Sequence, residues 1–149
     1  MRLVDMFRRR PEVTADDPVF GSLRRSEGYW SGKAVFPVGG DSVQVLVRAD
    51  EAGPTDSQRT FWAEAILRYD HLRPDVEAML IQLANEILEG GDFHPEISIE
   101  QFVLDSVTIG AVVDGTAEWE LSFGWDLDPD WVLEVSLQNW RIVSTSLGH

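Results

Sequence analysis

Between Ala117 and Trp125 the chain alternates without a break: Ala117, Trp119, Leu121, Phe123 and Trp125 are apolar, and Glu118, Glu120, Ser122 and Gly124 separate them. Successive side chains of an extended strand point to opposite faces, so a period of two predicts one face in the core and the other in water. The period recurs downstream. After Asp126-Leu127-Asp128-Pro129-Asp130, the series Trp131, Leu133, Val135 and Leu137 repeats it, and Asn139 turns the chain into residues 141–145. Upstream, Ile97, Ile99 and Val103 lead to Val107, Ile109, Ala111 and Val113. Asp114-Gly115 then gives a two-residue hairpin signal, because both central positions of that turn take positive φ. An earlier set starts after Phe20. Trp30, Gly32, Ala34 and Phe36 share one face, Pro37 to Asp41 forms a loop, and Val43, Val45, Val47 and Ala49 share a face again, which predicts an antiparallel hairpin.

Between the two strand sets the period lengthens. Gly53 and Pro54 break the sheet, and Thr55, Asp56 or Ser57 supplies a side-chain oxygen to cap a helix carrying Phe61, Trp62, Ala65, Ile66 and Tyr69. Pro74 suits the first turn of a second helix, where Asp75 and Glu77 complement the positive end of the dipole. Val76, Met79, Leu80, Leu83, Ala84, Ile87 and Leu88 form its apolar stripe, and Gly90-Gly91 ends it. The expected fold class is α+β: strand hairpins, two consecutive helices and a strand meander, giving an antiparallel sheet with both helices packed on one face. Residues 1–16 are expected to form a basic N-terminal arm and residues 17–149 a single domain.

Charge is unevenly placed. Residues 1–73 hold eleven basic and eleven acidic side chains, whereas residues 74–149 hold Arg141 against fifteen acids, so the whole net charge of −14 belongs to the second half. Such a surface repels phosphate backbones, which argues against nucleic-acid binding and for a basic protein as partner. The absence of cysteine removes disulfides, thiolate metal sites and cysteine nucleophiles together and fits a cytoplasmic location. Arg8, Arg9 and Arg10 run into Pro11 and Glu12 rather than an apolar stretch, so neither export nor a membrane is expected.

The stretch Asp17-Pro18-Val19-Phe20-Gly21-Ser22-Leu23, followed by Trp30 and by a strand ahead of the helical region, resembles the opening of a bacterial family of uncharacterised domains related to the immunity proteins of polymorphic toxin systems. That family commonly carries Glu-His-Gly at the start of a late strand, where this chain has Asp130-Trp131-Val132. The resemblance implies a cytoplasmic α+β domain and brings no catalytic residue with it.

Asp126, Asp128 and Asp130 have the spacing of the first ligands of a calcium loop, but the sixth and twelfth positions are Trp131 and Leu137 rather than glycine and glutamate, so no metal is assigned. The turn reads as an exposed acidic loop; Trp125 and Trp131 beside it offer contact area for a recognition role, whereas the alternation that both rings continue favours the sheet core for them. Glu118 and Glu120 project from one strand face and join it as candidate partner contacts; as an acid and base pair for glycoside hydrolysis they lack supporting signals. His71, His94 and His149 show no zinc spacing, and neither Gly39-Gly40 nor Gly90-Gly91 has the lysine of a phosphate cradle. No catalytic residue and no cofactor are assigned. The expected function is a non-catalytic protein-interaction module, an immunity-type inhibitor covering the basic cleft of a toxin. The alternatives are a small hydrolase or ligand-binding enzyme with a cleft between helices and sheet, and an accessory subunit.

Overall fold

A computed structural model describes residues 12–148, with Asp41 and Ser42 described through their backbone alone. One sheet contains eight strands in sequence order. They are β1 Thr14–Asp17, β2 Gly21–Ser26, β3 Tyr29–Phe36, β4 Gly40–Arg48, β5 Phe102–Val113, β6 Thr116–Trp125, β7 Val132–Gln138 and β8 Arg141–Gly148. Six neighbouring pairs are antiparallel. The central pair, β4 and β5, runs parallel from Gln44↔Ser106 to Val47↔Ile109. A helix α1, Asp56–Leu88, of 33 residues connects that pair. At about 1.5 Å per residue it is roughly 50 Å long, enough to cross a sheet whose eight strands span roughly 34 Å.

The expected antiparallel sheet with two helices is therefore corrected to a mixed sheet with one helix among the described residues, and the two corrections have one cause. Pro74 lies inside α1 rather than in the first turn of a second helix. A chain that leaves a strand, returns along one helix and enters a neighbouring strand runs that strand parallel to the first; a helical hairpin would have reversed it. The helix continues through Pro74 because its buried stripe keeps phase: Trp62, Ala65, Tyr69, Leu72, Val76, Leu80 and Leu83 recur every three or four residues. Burying that stripe outweighs the amide bond that proline forgoes.

One face of the sheet carries the core. Val43, Val45, Val47, Val107, Ile109, Leu121, Leu133 and Val135 are wholly covered beneath α1. Adjacent helix residues splay to opposite halves of the sheet. Trp62 stacks on Phe36 with ring centroids 5.4 Å apart, while Phe61 meets Trp119 edge-on at 5.4 Å and stacks on Trp140 at 5.1 Å. Thr55 caps α1: its hydroxyl accepts from the Gln58 amide, and the Gln58 side-chain oxygen accepts from the Thr55 amide. Asp114 and Gly115 both adopt positive φ, as their turn demands.

Two register shifts in β5 overturn the simple alternation expected for it. The shift between Leu104 and Ser106 turns Phe102 and Leu104 inward and leaves Val103 exposed. The shift between Ile109 and Val112 brings Val112 against the core in place of the exposed Ala111 and Val113. Ile97 and Ile99 pack against the core without joining a strand, Ile99 opening a short 3-10 turn. The first strand starts at Thr14, three residues before the expected domain boundary. The arm up to Pro11 and His149 lie outside the described residues. No helix among the described residues is long and apolar enough to cross a membrane.

Candidate protein-interaction face

The sequence-predicted contacts fall into three environments. Trp125 is in the core, 2% exposed, stacked on Phe102, with its indole N–H donating to Gln101 Oε1 at 3.3 Å. It offers no contact surface. The loop from Asp126 to Trp131 closes on itself at the end of β6: the Asp128 amide donates to the Trp125 carbonyl, and the Trp131 amide to the Asp128 carbonyl. The Asp126 amide donates to the Gln101 carbonyl, pinning this loop to the turn before β5. Asp126 and Asp130 are exposed, while Asp128 and Trp131 are half-buried, Trp131 packing against the core. Among the described residues no three His, Asp or Glu side chains converge as a metal would require, and His71 and His94 are exposed.

Glu118 and Glu120 occupy the third environment, the sheet face opposite α1. Strand pairing fixes which residues share it. One row runs Arg24, Ser31, Leu46, Thr108, Glu120, Ser136 and Ser144 from β2 to β8. The next runs Lys33, Gln44, Ser106, Ser122, Glu134 and Ser146 from β3 to β8. A third holds Arg48 on β4 and Glu118 on β6 with Gly110 between them, all lining one depression of about 320 Å³. Thr108, Glu120, Ser136 and Ser144 also line it, together with Trp119, Leu137 and Val143. The hollow exists because β5 presents only a hydroxyl, Thr108, and Gly110 between the long side chains of Arg48 on β4 and of Glu118 and Glu120 on β6. A Cβ on Gly110 would come within 2.9 Å of the Glu118 carbonyl oxygen.

Charge on the open face is unevenly spread. Arg24, Lys33 and Arg48 stand on β2 to β4 with Asp16 at the β1 edge, the carboxylates Asp105, Glu118, Glu120 and Glu134 gather on β5 to β7, and Arg141 stands on β8 in the row of Glu118. Asp105 belongs here because the shift in β5 lays its carboxylate over Gly124, with Oδ2 3.0 Å from where a Cβ would stand. Burial pushes the Asp105 carboxyl above its ordinary value. Burial likewise raises Glu120, the charge of Glu134 raises it further, and a hydrogen bond from the Ser136 hydroxyl, 3.3 Å away, works against both. Arg48 is held upright by Tyr29, whose hydroxyl accepts from Nη2 at 2.7 Å. The ion pairs seen among the described residues join arginines of the first half to acids of the same half: Arg24 to Glu12, Arg25 to Glu51, Arg59 to Asp17 and Asp56, Arg68 to Glu64, and Arg73 to Asp70.

Sequence reasoning missed Asp16, Asp105, Glu134 and the cations of this face. Glu134 was legible in part, since it alternates with Leu133 and Val135. Its closeness to Glu120 depends on register, which periodicity does not encode. The layer between α1 and the sheet, where a hydrolase cleft was the alternative, holds the core, and a hollow of about 370 Å³ opens where the first turns of α1 meet the strand ends, lined by Phe61, Glu64, Val112 and Trp140 among others. The Asp17-Pro18-Val19-Phe20-Gly21 stretch is a structural joint. The Asp17 carboxylate, 9% exposed, accepts from the Val19 and Phe20 amides and from Arg59 Nε and Nη2 at 2.8 Å, fastening the turn before β2 to the first turns of α1. No protein-family model, curated protein or solved structure matches the chain.

Proposed function

We propose that the chain is a non-catalytic, cytoplasmic protein-interaction module that binds a basic protein through the acidic half of its open sheet face, as an immunity-type inhibitor covers the cationic cleft of a toxin such as a nuclease. One observation carries this reading. Glu120 is partly buried between a second carboxylate, Glu134, and a hydroxyl, and its carboxyl is raised. A carboxylate in that setting gains from a lysine or arginine brought to it, because the incoming cation offsets both the burial and the like charge. Glu118 and Asp105 extend the same field along β6 and β5. The segregation of net charge into residues 74–149 gives that field long-range reach for steering a cationic partner.

Co-expression of the tagged chain with the product of the adjacent gene is the direct test. A complex that weakens as NaCl rises, and that loses at least tenfold in affinity with Glu120→Lys, is expected. Absence of any salt-sensitive complex, or a complex indifferent to Glu120→Lys combined with Glu134→Lys, removes the reading.

A further inference from the structure

The second shift in β5 leaves Gly110 between Arg48 on β4 and Glu118 on β6, whose backbones stand roughly 10 Å apart with no side chain between them. They do not close on each other. Among the described residues no ion pair includes Arg48, Glu118 or Glu120. Tyr29, on the far side of Arg48 from Glu118, helps to keep the gap open: its hydroxyl accepts from Arg48, and its ring centroid lies 5.3 Å from the guanidinium carbon. Thr108, Ser136 and Ser144 add hydroxyls to the hollow. We propose that this hollow binds a basic α-amino acid, lysine or arginine in type, with its carboxylate on Arg48 and its two cationic groups on Glu118 and Glu120.

Charge selects that class of ligand. The lining holds one guanidinium against two carboxylates, so a ligand that matches it group for group carries one carboxylate and two cations. A neutral amino acid leaves one glutamate unmatched, and a diamine leaves Arg48 unmatched. Glu134 beside Glu120, and Arg141 beyond Gln138 in the row of Glu118, stand outside the lining and offset each other. Arg48 spends one N–H on Tyr29 and keeps others for a carboxylate, and such charge-assisted bonds are about twice as strong as neutral ones. Burial and Glu134 raise the Glu120 carboxyl, so a cation arriving there offsets a cost already present in the free chain. Size agrees as well, since a hollow of about 320 Å³ lies at the lower end of the roughly 300–1,000 Å³ of small-molecule sites. Arg48 and Glu118 are exposed, which weakens each contact, so dissociation on the order of 1 mM is expected.

This site goes beyond the proposed binding of a basic protein and is measured on the chain alone. Titration of the full chain with L-lysine, followed by two-dimensional NMR in about 0.1 M NaCl, is expected to shift the amides of Gly110, Glu118 and Ser136 to saturation. Norleucine, which lacks the side-chain ammonium, and cadaverine, which lacks the carboxylate, are each expected to bind at least tenfold more weakly. The cadaverine arm is strict, because unspecific attraction to a chain of net charge −14 favours the diamine over lysine. Arg48→Gln is expected to erase the preference for lysine over cadaverine, and Glu118→Gln with Glu120→Gln the preference over norleucine. Lysine that leaves these amides unmoved up to about 20 mM, or cadaverine that binds as tightly as lysine, overturns the proposal. Both outcomes are read on the unaltered chain, so neither depends on a variant folding. A salt-sensitive complex with the basic protein beside a silent lysine titration removes this site alone, and lysine binding without such a complex removes the other reading alone.

Discussion

Gln58 joins three pieces of backbone from a position 1% exposed. Its oxygen completes the helix cap, and its amide nitrogen donates to the carbonyls of Arg48 at 2.7 Å and Gly110 at 3.0 Å, just past the last register pair of the parallel seam. Gln58→Ala leaves two carbonyls unpaired and opens the cap, and is expected to cost about 2–4 kcal/mol in urea unfolding. Gln58→Glu keeps the capping oxygen but sets a carboxylate against two carbonyl oxygens, so it is expected to cost more than alanine. Asp17 is the second such joint. Burial alone would raise its carboxyl, but Arg59 and the amides of Phe20 and Val19 overcome that and hold it below its ordinary 3.8. The stability it supplies is complete above that value and is lost as pH falls through the lowered one. Asp17→Asn is expected to destabilise by about 2–3 kcal/mol at pH 7 and by little near pH 2, as compared in parallel denaturant titrations. Threonine followed three residues later by glutamine is a legible capping signal. The second task of Gln58 was not legible, since it depends on which strands the helix end meets.

Helix α1 shows two local rules in competition. Proline in a helix interior costs about 3 kcal/mol, chiefly because its missing N–H cannot reach the carbonyl four residues back, here Asp70, and because its ring crowds that turn. An apolar stripe that holds phase across it buries Tyr69 and Leu72 before Pro74, and Val76, Leu80 and Leu83 after it, each of which contributes on the order of 1.5–3 kcal/mol. The stripe wins. Both halves of it were legible in the sequence; reading Pro74 as a boundary hid their continuity and, with it, the parallel seam. Pro74→Ala is expected to stabilise the fold by about 2 kcal/mol, after allowing for the roughly 0.4–1 kcal/mol by which proline stiffens the unfolded chain. Calorimetry would register this as a rise in Tm of roughly 4–8 °C. The register shifts of β5 were hidden for another reason. A strand's period is local, whereas a bulge is set by the partner strand, and only the exposure of Val103 and the inward turn of Val112 reveal it.

Across the whole molecule the charge asymmetry in the sequence gathers four carboxylates on β5 to β7 of one sheet face, and that cluster carries a pH signature. Asp105 and Glu120 both hold their protons to higher pH in the folded chain than in the unfolded one. Their contribution to stability is complete below the ordinary values of 3.8 and 4.5 and declines as pH rises through the raised ones, opposite in sense to Asp17. Glu120→Gln is expected to flatten that decline, and unfolding free energies measured between pH 4 and 7 would reveal it. Which acids gather on the face was not legible, because the bulge that turns Asp105 over Gly124 and the register that sets Glu134 beside Glu120 are fixed by partner strands rather than by either strand's own period. The seam between β4 and β5 has a different consequence. Every other neighbouring pair of strands is joined by a short turn or loop, so one event, the meeting of Gln44 with Ser106, carries nearly all the cost of closing a long stretch of backbone. Two meanders can form early and quickly, and their union across that line sets the pace of folding. Val107→Ala should therefore slow refolding, while a comparable truncation in β7, Val135→Ala, should chiefly hasten unfolding.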